Sequence, residues 1–165
     1  IVVEVSKQYG MKVFEDKLGV LTNSPDFNWQ VTNLGNYTGL SPHDATVQNW
    51  NGQEVMPWGV GTGSLGLPGD SIPASRFAKV AYLNANYPTQ KGETANVAKF
   101  FNILKSVAMV KGSVINNQGK DEYTVYTACY SSKTKTYYCN YATDFELKKY
   151  TITDENLNLN KLTIY

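Results

Sequence analysis

Apolar and polar residues alternate over short stretches near the start of the chain, a pattern typical of half-buried β-strands. We predict strands at residues 2–5, 11–15 and 19–22. The first residue is Ile1 rather than Met, and the first strand is already in progress there. We therefore expect its partners to lie upstream of this sequence. The alternative is a complete domain that begins at Ile1 after removal of a tag.

Farther along, apolar residues recur at helical spacing. Ser24 is predicted to cap a helix over residues 25–37, a second helix is expected at 73–84, and Thr94 is expected to cap a third at 95–107. Each helix carries an apolar stripe that we expect to face a core. The stripes consist of Phe27, Val31 and Leu34 in the first helix, Phe77, Val80 and Ala81 in the second, and Val97, Phe101 and Leu104 in the third.

Residues 38–71 are rich in glycine and proline and show little periodicity. An irregular stretch of this length in a compact protein is usually functional or an assembly element. Within it, residues 61–66 match G-x-G-x-x-G, but the strand before and the helix within that a dinucleotide site requires are missing. We interpret these glycines as a loop whose backbone passes close to a bulky neighbour.

The last third of the chain returns to strand-like patterns. We predict strands at residues 111–115, 122–130, 136–141 and 146–151. The order of strands, helices and strands, without regular βαβ alternation, predicts an α+β fold with antiparallel sheets. We find no internal repeat and expect one domain portion over residues 1–165.

The two cysteines lie in the hairpin that the last strands are expected to form. A hairpin symmetric about Thr134 places Cys129 opposite Cys139, where the two could form a disulfide in an oxidising compartment. With only two cysteines and no secretory signal in the sequence, we favour reduced thiols.

Composition excludes several classes of function. The net charge of +1 gives no electrostatic footprint for nucleic acid or an anionic membrane, and no apolar run approaches the roughly 20 residues of a membrane span. The only histidine, His43, lies between Pro42 and Asp44 on one loop, whereas a Ser-His-Asp triad needs groups that converge in space. One histidine and two cysteines are too few for a usual zinc site, so we expect no metal and no cofactor.

Two polar residues stand where a strand or loop gives way to a helix. Asn23 precedes Ser24, and Arg76 lies in the first turn of the second helix. Such positions hold a functional group rigidly and leave it reachable, although turn chemistry and a solvated charge are the ordinary alternatives. No residue of the chain is arranged like a nucleophile. The pattern therefore predicts a portion of an active site rather than a whole one.

These residues lie in motifs that closely resemble the choloylglycine hydrolase family, which contains the conjugated bile acid hydrolases and the penicillin V acylases. The similarity runs in order over nearly the whole chain. The clearest motifs are T-N-S-P at 22–25, G-L-P-G-D at 66–70, S-R-F at 75–77 and Y-T-V-Y-T at 123–127. The resemblance implies that the chain is a portion of the αββα sandwich of N-terminal-nucleophile amidases.

The resemblance also implies roles for the matched residues. In this family the nucleophile is a cysteine at the start of the mature enzyme, and its α-amino group is the base. Asn23 matches the family's oxyanion donor, and Arg76 matches an arginine that favours the thiolate. The family's cysteine would lie upstream of Ile1, so we expect this chain alone to be inactive and to need the N-terminal half of the enzyme.

The substrate implied is an acyl amide with a bulky apolar acyl group, either penicillin V or a conjugated bile salt. The T-N-S-P motif and the residues around Trp29 are slightly more similar to those of the penicillin V acylases. We expect a bacterial cytoplasmic enzyme that forms a homo-oligomer. The alternative function is a non-catalytic fragment or binding module that retains the fold.

Overall fold

The computed structural model describes residues 1–153, which belong to two compact units, Ile1–Tyr87 and Pro88–Tyr165. The first unit contains β1 (Val2–Ser6), β2 (Gly10–Phe14), α1 (Phe27–Asn33), β3 (Gln48–Trp50), β4 (Gln53–Val55) and α2 (Pro73–Asn86). The second contains α3 (Glu93–Lys105), β5 (Tyr126–Ser131), β6 (Thr136–Tyr141) and β7 (Lys148–Thr151). The expectation of one domain portion over residues 1–165 stays a prediction. None of the helices described is long and apolar enough to cross a membrane.

The core of the first unit is centred on aromatic rings from β2, α1 and α2. The ring of Phe27 lies 5.6 Å from that of Phe14 and 6.2 Å, edge-on, from that of Phe77. Phe77 is completely buried, as expected from the stripe of its helix. Val2, Val20 and Ala81 complete the cluster of buried residues. This packing joins α1 to α2, the two helices that follow the T-N-S-P and G-L-P-G-D motifs.

The β1–β2 hairpin exposes one apolar face. In its antiparallel register Val3 pairs with Val13, and Val5 pairs with Met11. All four side chains are more than half exposed. The opposite face supplies Val2 to the core. An exposed apolar pair of strands is a surface suited to burial against further structure.

The start of α1 differs from the prediction. The helix begins at Phe27 with Asp26 as its N-cap, so the expected cap at Ser24 was wrong. Two carboxylates explain the later start: Asp26 accepts a hydrogen bond from the third helical N–H, and Glu4 accepts one from the Phe27 N–H at 2.7 Å. The helical stretch continues as a 3₁₀ turn over Leu34–Tyr37 and ends where predicted.

The strand predicted at 19–22 is absent. A strand needs a ladder partner, but β1 and β2 pair with each other, and no other strand within residues 1–153 lies beside this segment. The Asp16 carboxylate accepts the N–H groups of Leu18 and Gly19, both at 2.9 Å, and holds the entry to the segment in a turn. Val20 is buried in the core.

The stretch 38–71 is largely irregular, as predicted, but it contains the short hairpin β3–β4. Its turn is formed by Asn51 and Gly52, both at positive φ (58° and 93°). Asn-Gly between two short strands is a strong hairpin signal, which the sequence interpretation missed.

The glycine-rich loop at 61–66 is filled by the protein itself. A Cβ on Gly63 would lie 1.8 Å from the carbonyl oxygen of His43, so only glycine fits. The Asp44 carboxylate accepts the N–H groups of Gly61 and Thr62, which a phosphate would otherwise need. Close backbone approach occurs at Gly63 alone, and its neighbour is the backbone at Ser41 and His43 rather than a bulky group. A Cβ at Gly61 or Gly66 would have nothing within 4 Å, and these two glycines serve a positive φ instead.

The two longer helices, α2 and α3, form close to the ranges predicted from the sequence. α2 begins at Pro73 as predicted and extends two residues beyond the expected end. α3 begins at Glu93 after Gly92, so the expected cap at Thr94 was wrong. The Glu93 carboxylate accepts hydrogen bonds from Tyr138, Thr134 and Ser131 of the hairpin β5–β6. These bonds join the start of α3 to the sheet.

The sheet of the second unit is antiparallel in the order β5-β6-β7. β6 has the predicted bounds, whereas β5 and β7 are shorter than predicted. The strand expected at 111–115 is wrong, because only an isolated bridge joins Ile115 to Asp121. Turns closed by the N–H groups of Ser113 and Gly119 leave too little extended backbone there for a ladder.

The two cysteines do not oppose each other. Cys129 pairs with Tyr138, and Cys139 pairs with Ala128, one residue away from the predicted register. Since side chains alternate along a strand, the two thiols lie on opposite faces of the sheet. Both are free thiols. The Cys129 face packs with Tyr138 against Val97 of α3.

Candidate active site

The structure brings the two candidate residues into direct contact. Arg76 Nη2 donates a hydrogen bond to Asn23 Oδ1 at 3.0 Å, across 53 residues of sequence. Arg76 is the only arginine in the chain. The predicted pair therefore forms one local arrangement at the start of α2.

The entry to α2 fixes the arginine. The Asp70 carboxylate accepts the Ile72 N–H at 3.0 Å and the Ser75 hydroxyl at 2.8 Å, which closes the loop onto the first helical turn. Arg76 Nε donates to the carbonyl oxygen of Ser71 at 3.0 Å. The guanidinium is thus held at two of its nitrogens, by Ser71 and Asn23. The hydrogen bonds from Ser75 and from the Ile72 N–H lower the pKa of Asp70, which keeps it an acceptor.

The charge of Arg76 is not neutralised locally. Within residues 1–153 no carboxylate oxygen lies within 4.0 Å of the guanidinium, and its acceptors are an amide and a carbonyl oxygen. A half-buried guanidinium with neutral partners favours an anion placed beside it. The arrangement can therefore stabilise a thiolate brought to its free side.

The contact with Arg76 also sets the orientation of the Asn23 amide. Because a guanidinium only donates, the amide oxygen faces Arg76, and the Nδ2 group keeps both of its N–H bonds for another acceptor. Within residues 1–153 no group accepts a hydrogen bond from Asn23 Nδ2. Asn23 is exposed, so its Nδ2 group can donate to an oxygen of a bound molecule.

Sequence reasoning missed one residue beneath this site. Gln30 of α1 is completely buried, and its Nε2 donates to Thr22 Oγ1 at 3.0 Å and to the carbonyl oxygen of Ser24 at 2.7 Å. The available signal was the position of Gln30 on the apolar stripe of its helix, three residues after Phe27. A polar residue on a buried stripe needs partners, and here the partners are the neighbours of Asn23.

The other candidate chemistry is structural. The exposed His43 lies in a turn in which the Ser41 hydroxyl accepts the His43 N–H. Burial raises the pKa of the Cys129 thiol, and Cys139 is buried, so neither resembles an activated nucleophile. In the region that the structure describes, no group of three His, Cys, Asp or Glu residues could hold a metal ion.

A family model described as linear amide C–N hydrolases of the choloylglycine hydrolase family matches residues 1–165. The chain is 79% identical over its full length to the conjugated bile acid hydrolase of Lactobacillus gasseri, and 78% identical to that of Lactobacillus acidophilus. In both cases it covers 52% of the relative. The chain thus spans about half the length of the curated relatives it matches, and that half is C-terminal.

Solved structures agree on the fold. A variant of the conjugated bile acid hydrolase from Clostridium perfringens superposes with a TM-score of 0.88 at 37% identity, over 99% of this chain and 49% of that protein. The penicillin V acylase from Agrobacterium tumefaciens gives a TM-score of 0.60 at 19% identity, over 91% of this chain and 38% of that protein. The predicted α+β portion of an N-terminal-nucleophile hydrolase is confirmed. The chain belongs to the choloylglycine hydrolase family of linear amide C–N hydrolases.

Proposed function

We propose that this chain is the C-terminal half of a conjugated bile salt hydrolase and that Asn23 and Arg76 are its contribution to catalysis. The observation that carries the proposal is the hydrogen bond from Arg76 Nη2 to Asn23 Oδ1, which leaves the Asn23 Nδ2 group free to donate. The N-terminal half supplies the nucleophile, a cysteine whose own α-amino group acts as base.

Each residue has a distinct part in the reaction. The cysteine thiolate attacks the carbonyl carbon of the amide, and the carbonyl oxygen becomes an oxyanion that accepts a hydrogen bond from Asn23 Nδ2. One such donor is worth about 3 kcal/mol of transition-state stabilisation. Arg76 lowers the free energy of the thiolate through its positive charge. The C–N bond then breaks, and the amine leaves with the proton that the cysteine α-amino group took from the thiol. Water then hydrolyses the acyl-enzyme, which releases the acid and restores the thiol.

The substrate proposed is a bile acid joined by an amide bond to glycine or taurine. Support comes from the Lactobacillus relatives, which share more than three quarters of this chain's residues and are named conjugated bile acid hydrolases. The penicillin V acylase structure shares only 19% and supports the fold alone. The slight preference for penicillin V drawn from T-N-S-P and Trp29 therefore receives no support. Cytoplasmic location and homo-oligomerisation remain sequence-based predictions.

A full-length protein is needed for the test. We define the full-length hydrolase as this chain preceded by the N-terminal half of the Lactobacillus gasseri relative. That relative is 79% identical to this chain over the 165 residues that the two share. We expect it to hydrolyse glycine- and taurine-conjugated bile salts with a kcat/KM at least about tenfold above that for penicillin V. The Lactobacillus gasseri enzyme, which has the same N-terminal half, is the control.

Two outcomes would count against the proposal. Preference for penicillin V would overturn the substrate assignment. A folded protein that cleaves neither substrate, while the control enzyme is active, would favour the alternative of a non-catalytic module.

A further inference from the structure

We infer that Gln30 is a positioning residue for the reaction, which holds the turn on both sides of Asn23 through the side-chain hydroxyl of Thr22 and the backbone carbonyl of Ser24. The inference rests on the proposed function of Asn23 as oxyanion donor. Gln30 Nε2 reaches Thr22 and Ser24, the residues immediately before and after Asn23, at 3.0 and 2.7 Å. One buried amide group therefore spans the turn that presents the donor.

Asn23 is held from two directions. Gln30 on α1 fixes the backbone from beneath, and Arg76 on α2 fixes the side-chain amide. The two anchoring helices are themselves packed together by Phe27 and Phe77, which adjoin the anchors: Phe27 lies one turn before Gln30, and Phe77 directly follows Arg76. The direction of the Asn23 donor is thus set by the core of the first unit.

Gln30 is a costly residue for this position if its role is only packing. It is completely buried, and its Oε1 has no hydrogen-bond partner among residues 1–153. A buried acceptor without a partner destabilises the fold, whereas a methionine of similar volume would carry no such cost. The unpaired Oε1 of Gln30 thus lowers the stability of the fold, while its Nε2 donates the two hydrogen bonds that hold the turn around Asn23.

The test compares Gln30→Met in the full-length hydrolase with the wild type and with Asn23→Ala. We expect Gln30→Met to lower kcat by about five- to fiftyfold with KM changed less than about threefold, because only the alignment of the donor is lost. The melting temperature should stay equal or rise. Gln118→Met, the same substitution at an exposed position, should leave kcat unchanged.

The decisive readout is the double variant. If Gln30 acts through Asn23, Gln30→Met should cause almost no further loss of kcat in the Asn23→Ala background. A loss as large there as in the wild type would overturn the inference, as would a wild-type kcat for folded Gln30→Met.

A second variant covers the case in which Gln30→Met does not fold. Thr22→Val keeps the shape of the side chain and removes the hydroxyl that accepts from Gln30. A smaller loss of kcat, again absent in the Asn23→Ala background, supports the inference, and an unchanged kcat overturns it. If Asn23→Ala itself retains full activity, the proposed function fails first and this inference fails with it.

Discussion

Arg76 and Asn23 act as one unit in this account, so substitutions at the two positions should not be additive. Arg76→Lys is the informative change, because lysine keeps the positive charge but lacks the planar fork. A lysine ammonium does not reproduce the two fixed donors, Nε and Nη2, that Arg76 directs to the carbonyl oxygen of Ser71 and to Asn23 Oδ1 at 3.0 Å each. The substitution therefore separates the positioning role of Arg76 from its charge.

The size of the effect follows from the contact. A hydrogen bond between a charged donor and a neutral acceptor contributes about 1.5–3 kcal/mol, which corresponds to about 10- to 100-fold in rate if it is needed only in the transition state. Asn23→Ala removes the proposed oxyanion donor and should cost about 100- to 1000-fold in kcat. In the Asn23→Ala background there is no amide left to orient. Arg76→Lys should then cost less than about threefold.

The assay is the initial rate of glycine release from a glycine-conjugated bile salt at saturating concentration. It needs the wild type, the two single variants and the double variant of the full-length hydrolase. Lys79→Arg, one helical turn after Arg76 on α2, is the control for exchanging lysine and arginine and should keep wild-type kcat. If Arg76→Lys slowed the Asn23→Ala variant by the same factor as the wild type, the idea that Arg76 orients Asn23 would be refuted.

Three further predictions concern the fold. Phe77→Ala should destabilise the first unit by about 3–5 kcal/mol in urea unfolding, because it empties the centre of the core; a loss below about 1 kcal/mol would contradict this. Hydrogen bonds from Tyr138 and its neighbours lower the pKa of Glu93 below 4.5, so its stabilising effect is present above that pH and lost as pH falls through the lowered value. The difference in melting temperature between wild type and Glu93→Gln should thus shrink in acid; a constant difference would contradict it. Mild oxidation should form no disulfide between Cys129 and Cys139, because the two thiols lie on opposite faces of the sheet. The intact mass should therefore not fall by the mass of two hydrogens, and such a fall would contradict the prediction.

Local patterns predicted the elements whose signals lie within a few residues. α2 begins at Pro73, a residue with a backbone suited to the first helical position, and its stripe buries Phe77 as expected. β6 has the predicted bounds because its strand-forming residues adjoin a polar turn. The contact between Arg76 and Asn23 agrees with the family motifs, although no local pattern could place two residues 53 positions apart at 3.0 Å.

The wrong predictions concern features that depend on a distant partner strand or on the exact number of residues in a turn. Residues 19–22 have strand-like composition, but no partner strand lies beside them in the described chain. The turn of the β5–β6 hairpin contains four residues, 132–135, so its centre lies between Lys133 and Thr134 rather than at Thr134. That half-residue shift moves Cys129 and Cys139 out of opposition.

Gln30 shows why the site was only partly predictable. Its place on the apolar stripe of α1 is visible in the sequence, but the atoms it serves, Thr22 Oγ1 and the carbonyl oxygen of Ser24, belong to a turn whose shape depends on tertiary packing. Sequence motifs indicate the candidate site residues, whereas the residues that hydrogen-bond to their neighbours are identified only in the folded structure.

The most direct test of the catalytic role of Asn23 is the kcat of Asn23→Asp in the full-length hydrolase. Aspartate keeps the size of the side chain and an oxygen for Arg76, but it replaces the donor Nδ2 with a second acceptor. Asn28→Asp, at an exposed position of α1, is the matched control. We predict a loss of at least about 100-fold in glycine release for Asn23→Asp and almost none for Asn28→Asp. A folded Asn23→Asp variant within about threefold of the wild type would contradict the assignment of Asn23 as oxyanion donor.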